Sequence, residues 1–119
     1  MTLTTDRIQL LTRLLDVAAL RQNVIAQNVA NVNTPGFTSQ EVTFEDALKN
    51  ALTSESKGIP AEVLPEVVPG GGGVPRGDGN NVDIDQEMAR LQKNALYFQV
   101  YAQMLANDLA QFRSAIRGQ

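Results

Sequence analysis

Few side chains in this 119-residue sequence have types and spacing that could do chemistry. Asp83, Asp85 and Glu87, in "VDIDQE", gather three carboxylates in one short stretch, the raw material of a cation site or of a carboxylate pair for glycoside cleavage. They also open a helix-like run, and the helix dipole favours acids in a first turn without any ligand. Gly70 to Gly73 could let a backbone approach a phosphate, but the Gly-Lys-Ser/Thr ending of a phosphate loop and its strand-then-helix context are missing. Cysteine and histidine are both absent, which removes disulfides, thiolate and imidazole ligands, a Cys nucleophile and the commonest general base. The expectation is no enzyme, no cofactor and no metal.

The elements that would position these residues are plainer. Ile8, Leu11, Leu15, Ala18, Gln22, Ile25, Val29 and Val32 step alternately by threes and fours, the period of a coiled-coil seam, and only Gln22 interrupts them. A second row, Leu10, Leu14, Val17 and Val24, runs beside the first and continues through Asn28 and Asn31. Near the other end Ile84, Met88, Leu91, Ala95, Phe98, Ala102, Leu105, Leu109, Phe112 and Ile116 repeat the pattern unbroken. Asp83 is a good N-cap for this second helix, with Gln86 placed for a capping box and Asp85 and Glu87 favouring the dipole. Arg113, Arg117 and Gly118 suit its C-terminal end, and its length would be roughly 50 Å.

Between the helices the composition changes. "VTFEDALKNAL" predicts a short helix with Thr43 as N-cap, while Pro and Gly from Lys57 to Asn81 exclude helix. "AEVLPEVV" fits a short extended segment that Pro65 restricts to a sheet edge or an irregular arm, and the glycine run reads as a flexible tether. The expected fold is mainly α: two long terminal helices in a coiled-coil-like hairpin, joined by a Gly/Pro-rich, partly extended middle. Its expected segments, together one domain, are an N-terminal helix over 1–33, a turn and short helix over 34–56, a flexible linker or arm over 57–81 and a C-terminal helix over 82–119.

Two apolar faces per helix exceed what a two-helix contact covers. Leu10, Leu14, Val17 and Val24 on one helix, and Leu96, Val100, Met104 and Tyr97 or Tyr101 on the other, need a further cover, and other copies of the chain are the simplest one. The alternative is a helical adaptor or chaperone-like binding module that forms a discrete coiled-coil oligomer. A net charge of −3 with scattered basic residues argues against nucleic acid as a partner. No run approaches a membrane span, and the opening residues lack the pattern of a cleaved secretory signal.

"RQNVIAQNVANVNTPGF" near one end and "GNNVDIDQEMARLQKNALYFQVYAQMLANDLAQFRSAIRG" at the other resemble the bacterial flagellar rod and hook family, in particular its short proximal-rod members. The resemblance covers about two thirds of the chain and leaves out the Gly/Pro-rich middle. It implies an axial structural subunit, exported through the flagellar type III apparatus without a cleaved signal, in the basal-body rod that crosses the periplasm. Its implied partners are copies of itself, other rod proteins, the membrane ring, the export gate and a rod adaptor protein.

Under that resemblance Ile8, Leu11, Leu15, Ile25 and Val29 are expected to pack against Leu91, Phe98, Leu105, Leu109 and Phe112, with Leu14 and Met104 facing neighbouring subunits. Thr34 before Pro35 is pushed out of the helical region, and Pro35-Gly36 fits the centre of a type II turn leading to Phe37. The turn is expected to aim Thr38 to Leu52 at a neighbouring subunit or the second helix, with Asn28 and Asn31 fixing the angle.

Overall fold

The computed structural model of the chain describes residues 2–53 and 63–118. Residues 54–56 of the expected short-helix segment, residues 57–62 of the expected linker, and the two end residues lie outside the described residues. In chain order the elements are α1 (Thr2–Ala30), β1 (Gln40–Thr43), α2 (Glu45–Thr53), β2 (Glu66–Pro69) and α3 (Ile84–Ile116). The fold is mainly helical, and α1 and α3 pack together as an elongated hairpin with extents of 64 × 29 × 15 Å.

The hairpin forms for the reason the seams predict, but its core lies to one side. Leu11, Ala18 and Ile25 of the α1 seam are buried. So are Val17 and Val24 of the flanking row, which cluster with Val42, Phe44 and Val63 and are backed by Leu14, Leu20, Leu48 and Ala51. The cover expected from another copy is therefore supplied, on α1, by the chain's own middle. Four-residue β1 pairs antiparallel with β2, Gln40 opposite Pro69 and Thr43 opposite Glu66, and the ribbon lies along α1. Two such strands would be marginal alone; a hydrophobic face on a helix makes them stable. The amphipathic α2 adds Leu48 and Ala51, and starts at Glu45, one residue later than a Thr43 cap would place it.

Among the described residues no corresponding cover lies on α3. Its buried side chains are Glu87, Asn94 and Asp108, all polar, whereas Leu96, Tyr97, Phe98, Val100, Leu109 and Ile116 are each more than two-fifths exposed and Met104 nearly so.

The glycines are not a slack tether. The N–H of Gly70 donates to the Ser39 carbonyl at 2.9 Å and that of Gly73 to the Asn81 carbonyl at 2.9 Å. A side chain at Gly71 (φ +76) would overlap the Arg90 guanidinium, and one at Gly72 would come within 2.6 Å of Asn81. Gly71 and Gly72 leave no room for a side chain because they are pressed against Arg90 of α3 and Asn81 just before it.

Candidate functional site at the helix junction

The end of α1, the turn after it and the approach to α3 meet at one end of the molecule. The Phe37 N–H donates to the Thr34 carbonyl at 3.2 Å and Gly36 has φ +74, the geometry of the type II turn that Pro35-Gly36 predicts. The turn sends the chain back along α1, where Asn28, 1% exposed, grips β1. Asn28 Nδ2 donates to the Gln40 carbonyl at 2.8 Å, and the Gln40 N–H donates to Asn28 Oδ1 at 3.0 Å. One amide thus replaces a strand partner for Gln40.

The same Nδ2 donates to Glu87 Oε2 at 3.2 Å. Glu87 is fully buried; its other oxygen, Oε1, accepts from Ser39 Oγ at 3.3 Å and Arg90 Nη1 at 3.1 Å. The expectation that Glu87 simply serves the helix dipole is corrected: it lies in the first turn, but its carboxylate ties α3 to α1, to β1's approach and to its own helix. Asp83 acts as the cap, accepting from the Asp85 and Gln86 N–H groups at 3.1 and 3.3 Å.

Asn80 closes the opposite side. Fully buried, it donates from Nδ2 to the carbonyls of Asn31 and Thr34, each at 2.8 Å, and accepts from the Val82 N–H at 2.8 Å. The carbonyls at the end of α1 are thus capped by a side chain from far along the sequence. Arg76 reinforces the closure, donating to the carbonyls of Val82 at 2.9 Å and of Val32, while the Gly36 N–H donates to the Asp78 carbonyl at 2.8 Å. Every buried side-chain nitrogen and oxygen among the described residues has a hydrogen-bond partner.

A cleft of about 310 Å³ beside the junction is lined by Arg21, Glu45, Glu87, Arg90, Lys93 and Tyr97 among others. Burial pushes the Glu45 carboxyl up, but the Arg21 hydrogen bond at 2.5 Å, backbone N–H groups and the Arg21 charge outweigh it and hold the group below its ordinary range. Burial, with the charges of Glu45 and Tyr97, pushes the Tyr101 hydroxyl up. Tyr97 stacks on Tyr101 with centroids 6.1 Å apart, and Lys93 lies 5.7 Å over the Tyr97 ring. The cleft's acids and cations largely face one another, the arrangement of a packed surface.

The expected packing residues are distributed unevenly. Leu11 and Ile25 are buried; Ile8, Leu14, Leu15 and Val29 on α1, and Leu91, Leu105 and Phe112 on α3, are half-buried; Phe98, Leu109 and Met104 are exposed. Leu14, half-buried, packs on the chain's own core. Thr38 to Leu52 runs along α1's flank, with Ser39 reaching α3. Asn31 works through its carbonyl; its side chain bonds only locally, to the Gln27 carbonyl at 2.8 Å and the Thr34 hydroxyl at 3.0 Å. Reasoning from the sequence missed Asn80, Ser39 and Arg90.

The junction coincides with a family signature. Residues 15–38, the second half of α1 and the whole turn, match the family model of the flagella basal body rod protein. The flagellar basal body rod protein FlgB of Borrelia hermsii is 33% identical over 128 aligned positions, covering 92% of this chain and 95% of that one. The chain belongs to the FlgB family of flagellar basal body rod proteins. FlgB of Salmonella typhimurium is 32% identical, covering 87% of this chain and 88% of its own, and FlgB of Bacillus subtilis is 28% identical, covering 99% and 98%. Among the described residues no helix is long and apolar enough to cross a membrane.

Proposed function

We propose that this chain, a structural subunit of the flagellar basal-body rod, polymerises through the outer faces of α3 into the hollow tube of the proximal rod. The observation that carries this reading is the row Leu96, Val100 and Met104, spaced by fours, 59%, 46% and 39% exposed on a helix that belongs to a rod subunit. Apolar rows of this kind on a long helix are buried in the functional state, and a subunit repeated through dissimilar faces builds a ring or a helical tube. The junction keeps α1, the ribbon and α3 in one shape so that every copy presents the same surface. Partners under this reading are further copies, other rod proteins, the membrane ring, the export gate and the rod adaptor. The chain would reach the periplasm-crossing rod by export without a cleaved signal, and would catalyse nothing.

Electron microscopy of basal bodies from a strain lacking the gene tests the assignment. The expected result is loss of the rod with the membrane ring still present. An intact rod in that strain would refute it.

A further inference from the structure

We infer that Asn94 of α3, together with Gln22 of α1, sets the alignment of the two helices, as the middle rung of a polar ladder that is satisfied in a single register. Gln22 is the one polar interruption of the α1 seam, and nothing in the rod-subunit reading accounts for it. In the structure Asn94, 6% exposed, donates from Nδ2 to the Ala18 carbonyl at 2.8 Å and to Gln22 Oε1 at 3.1 Å. Twenty-one residues separate Arg7 from Asn28 on α1, and twenty-one separate Glu87 from Asp108 on α3. Those residues form the outer rungs: Arg7 Nε to Asp108 Oδ2 at 2.9 Å near one end, and Asn28 to Glu87 at 3.2 Å at the other. Glu87, Asn94 and Asp108 fall at multiples of seven, and they are the buried side chains of α3.

The apolar stripes cannot choose the alignment by themselves, because rows stepped by threes and fours pack almost as well after a slide of one heptad. The ladder can. A slide of seven residues would put Asn94 against Leu11 and Leu15 in one direction or Ile25 and Val29 in the other, with no side-chain partner. One of the two slides would set the Asp108 carboxylate against Leu14. Only Glu87 finds a substitute, Arg21, and only in the opposite slide. Buried polar groups left without partners are costly, so the slid alignments are disfavoured although their apolar contacts are not. This deepens the rod-subunit reading, because the register decides where along the hairpin the exposed α3 row is presented; the ladder itself is a property of the single chain.

The chain has no cysteine, so two spin labels can be placed cleanly at Ala26→Cys on α1 and Gln111→Cys on α3, both exposed. A one-heptad slide changes their separation along the axis by about 10 Å. In the purified full chain the wild-type ladder is expected to give one narrow distance by double electron-electron resonance. Asn94→Leu with Gln22→Leu is expected to keep the helical circular dichroism and an equal or higher melting temperature, while a second, minor distance population appears beside the first, held minor by the outer rungs. Arg7→Gln with Asp108→Asn, which keeps a hydrogen-bonding pair, is expected to retain the single distance. A single unchanged distance in the Asn94/Gln22 variant would overturn the inference. So would loss of its helical structure, and so would a broad wild-type distribution. None of these readouts depends on rod assembly, so failure here and failure of the rod assignment are told apart.

Discussion

Asn28 and Glu87, fifty-nine positions apart, meet in the buried junction with the amide nitrogen 3.2 Å from the carboxylate. Around that contact the end of one helix, a tight turn, a strand and the start of a second helix share one hydrogen-bond network. Asn28→Ala would leave the Gln40 backbone and one Glu87 oxygen without their donors or acceptors. A loss of about 2–4 kcal/mol in unfolding free energy is expected in urea titrations, since each buried polar group left unpaired costs about 1–3 kcal/mol.

The asparagines of the junction are not equivalent. Asn80→Ala uncaps two carbonyls and should cost about 1–2 kcal/mol, with faster amide exchange over residues 32–37. Asn31→Leu loses only local side-chain bonds and should cost about 0.5 kcal/mol or less. Comparable losses for the two variants would contradict the assignment of the cap to Asn80.

Gly71→Ala should destabilise by more than about 1 kcal/mol, because its φ of +76 disfavours a side chain and the Arg90 guanidinium occupies the space. Gly73→Ala, where nothing lies within 4 Å, should be close to neutral. A tether would tolerate both, so thermal melts of the pair distinguish a packed run from a slack one.

The Arg21–Glu45 pair gives the sign of one pH effect. Glu45 has a carboxyl held below its ordinary value of 4.5, so its stabilisation is present above that value and is lost as the pH falls through the lower folded value. Glu45→Gln should leave neutral stability almost unchanged, since the Glu45 side chain is 60% exposed, and should flatten the acid limb of the melting-temperature profile. A variant curve parallel to wild type down to strongly acid pH would remove Glu45 from the account.

Both long helices, the type II turn and the Asp83 cap were legible because each rests on a local signal: heptad spacing, a Pro-Gly pair, a capping residue. The ribbon was not. Four-residue strands beside Pro65 and a glycine run carry almost no local preference, and Asn28, from α1, rather than the strand itself, fixes Gln40. Hence the flank of α1 looked uncovered when Val42, Phe44 and Val63 cover it. Glu87 was misread for a related reason, since an acid in a first turn looks the same whether it serves the dipole or a buried contact. Its repeat with Asn94 and Asp108 at multiples of seven was the signal available in the sequence.

We propose the outer row of α3, and not the flank of α1, as the assembly surface. The direct measurement is electron microscopy of basal bodies from cells whose only copy carries Leu96→Asp with Val100→Asp, alongside urea melts of the same purified chain. Because both side chains are exposed, the melt should lie within about 1 kcal/mol of wild type. The rod should be missing above an intact membrane ring. Leu14→Asp, by contrast, should lower stability by about 2 kcal/mol or more, because it places a charge against the core. Rods of normal number and length in the Leu96→Asp, Val100→Asp cells would contradict the account.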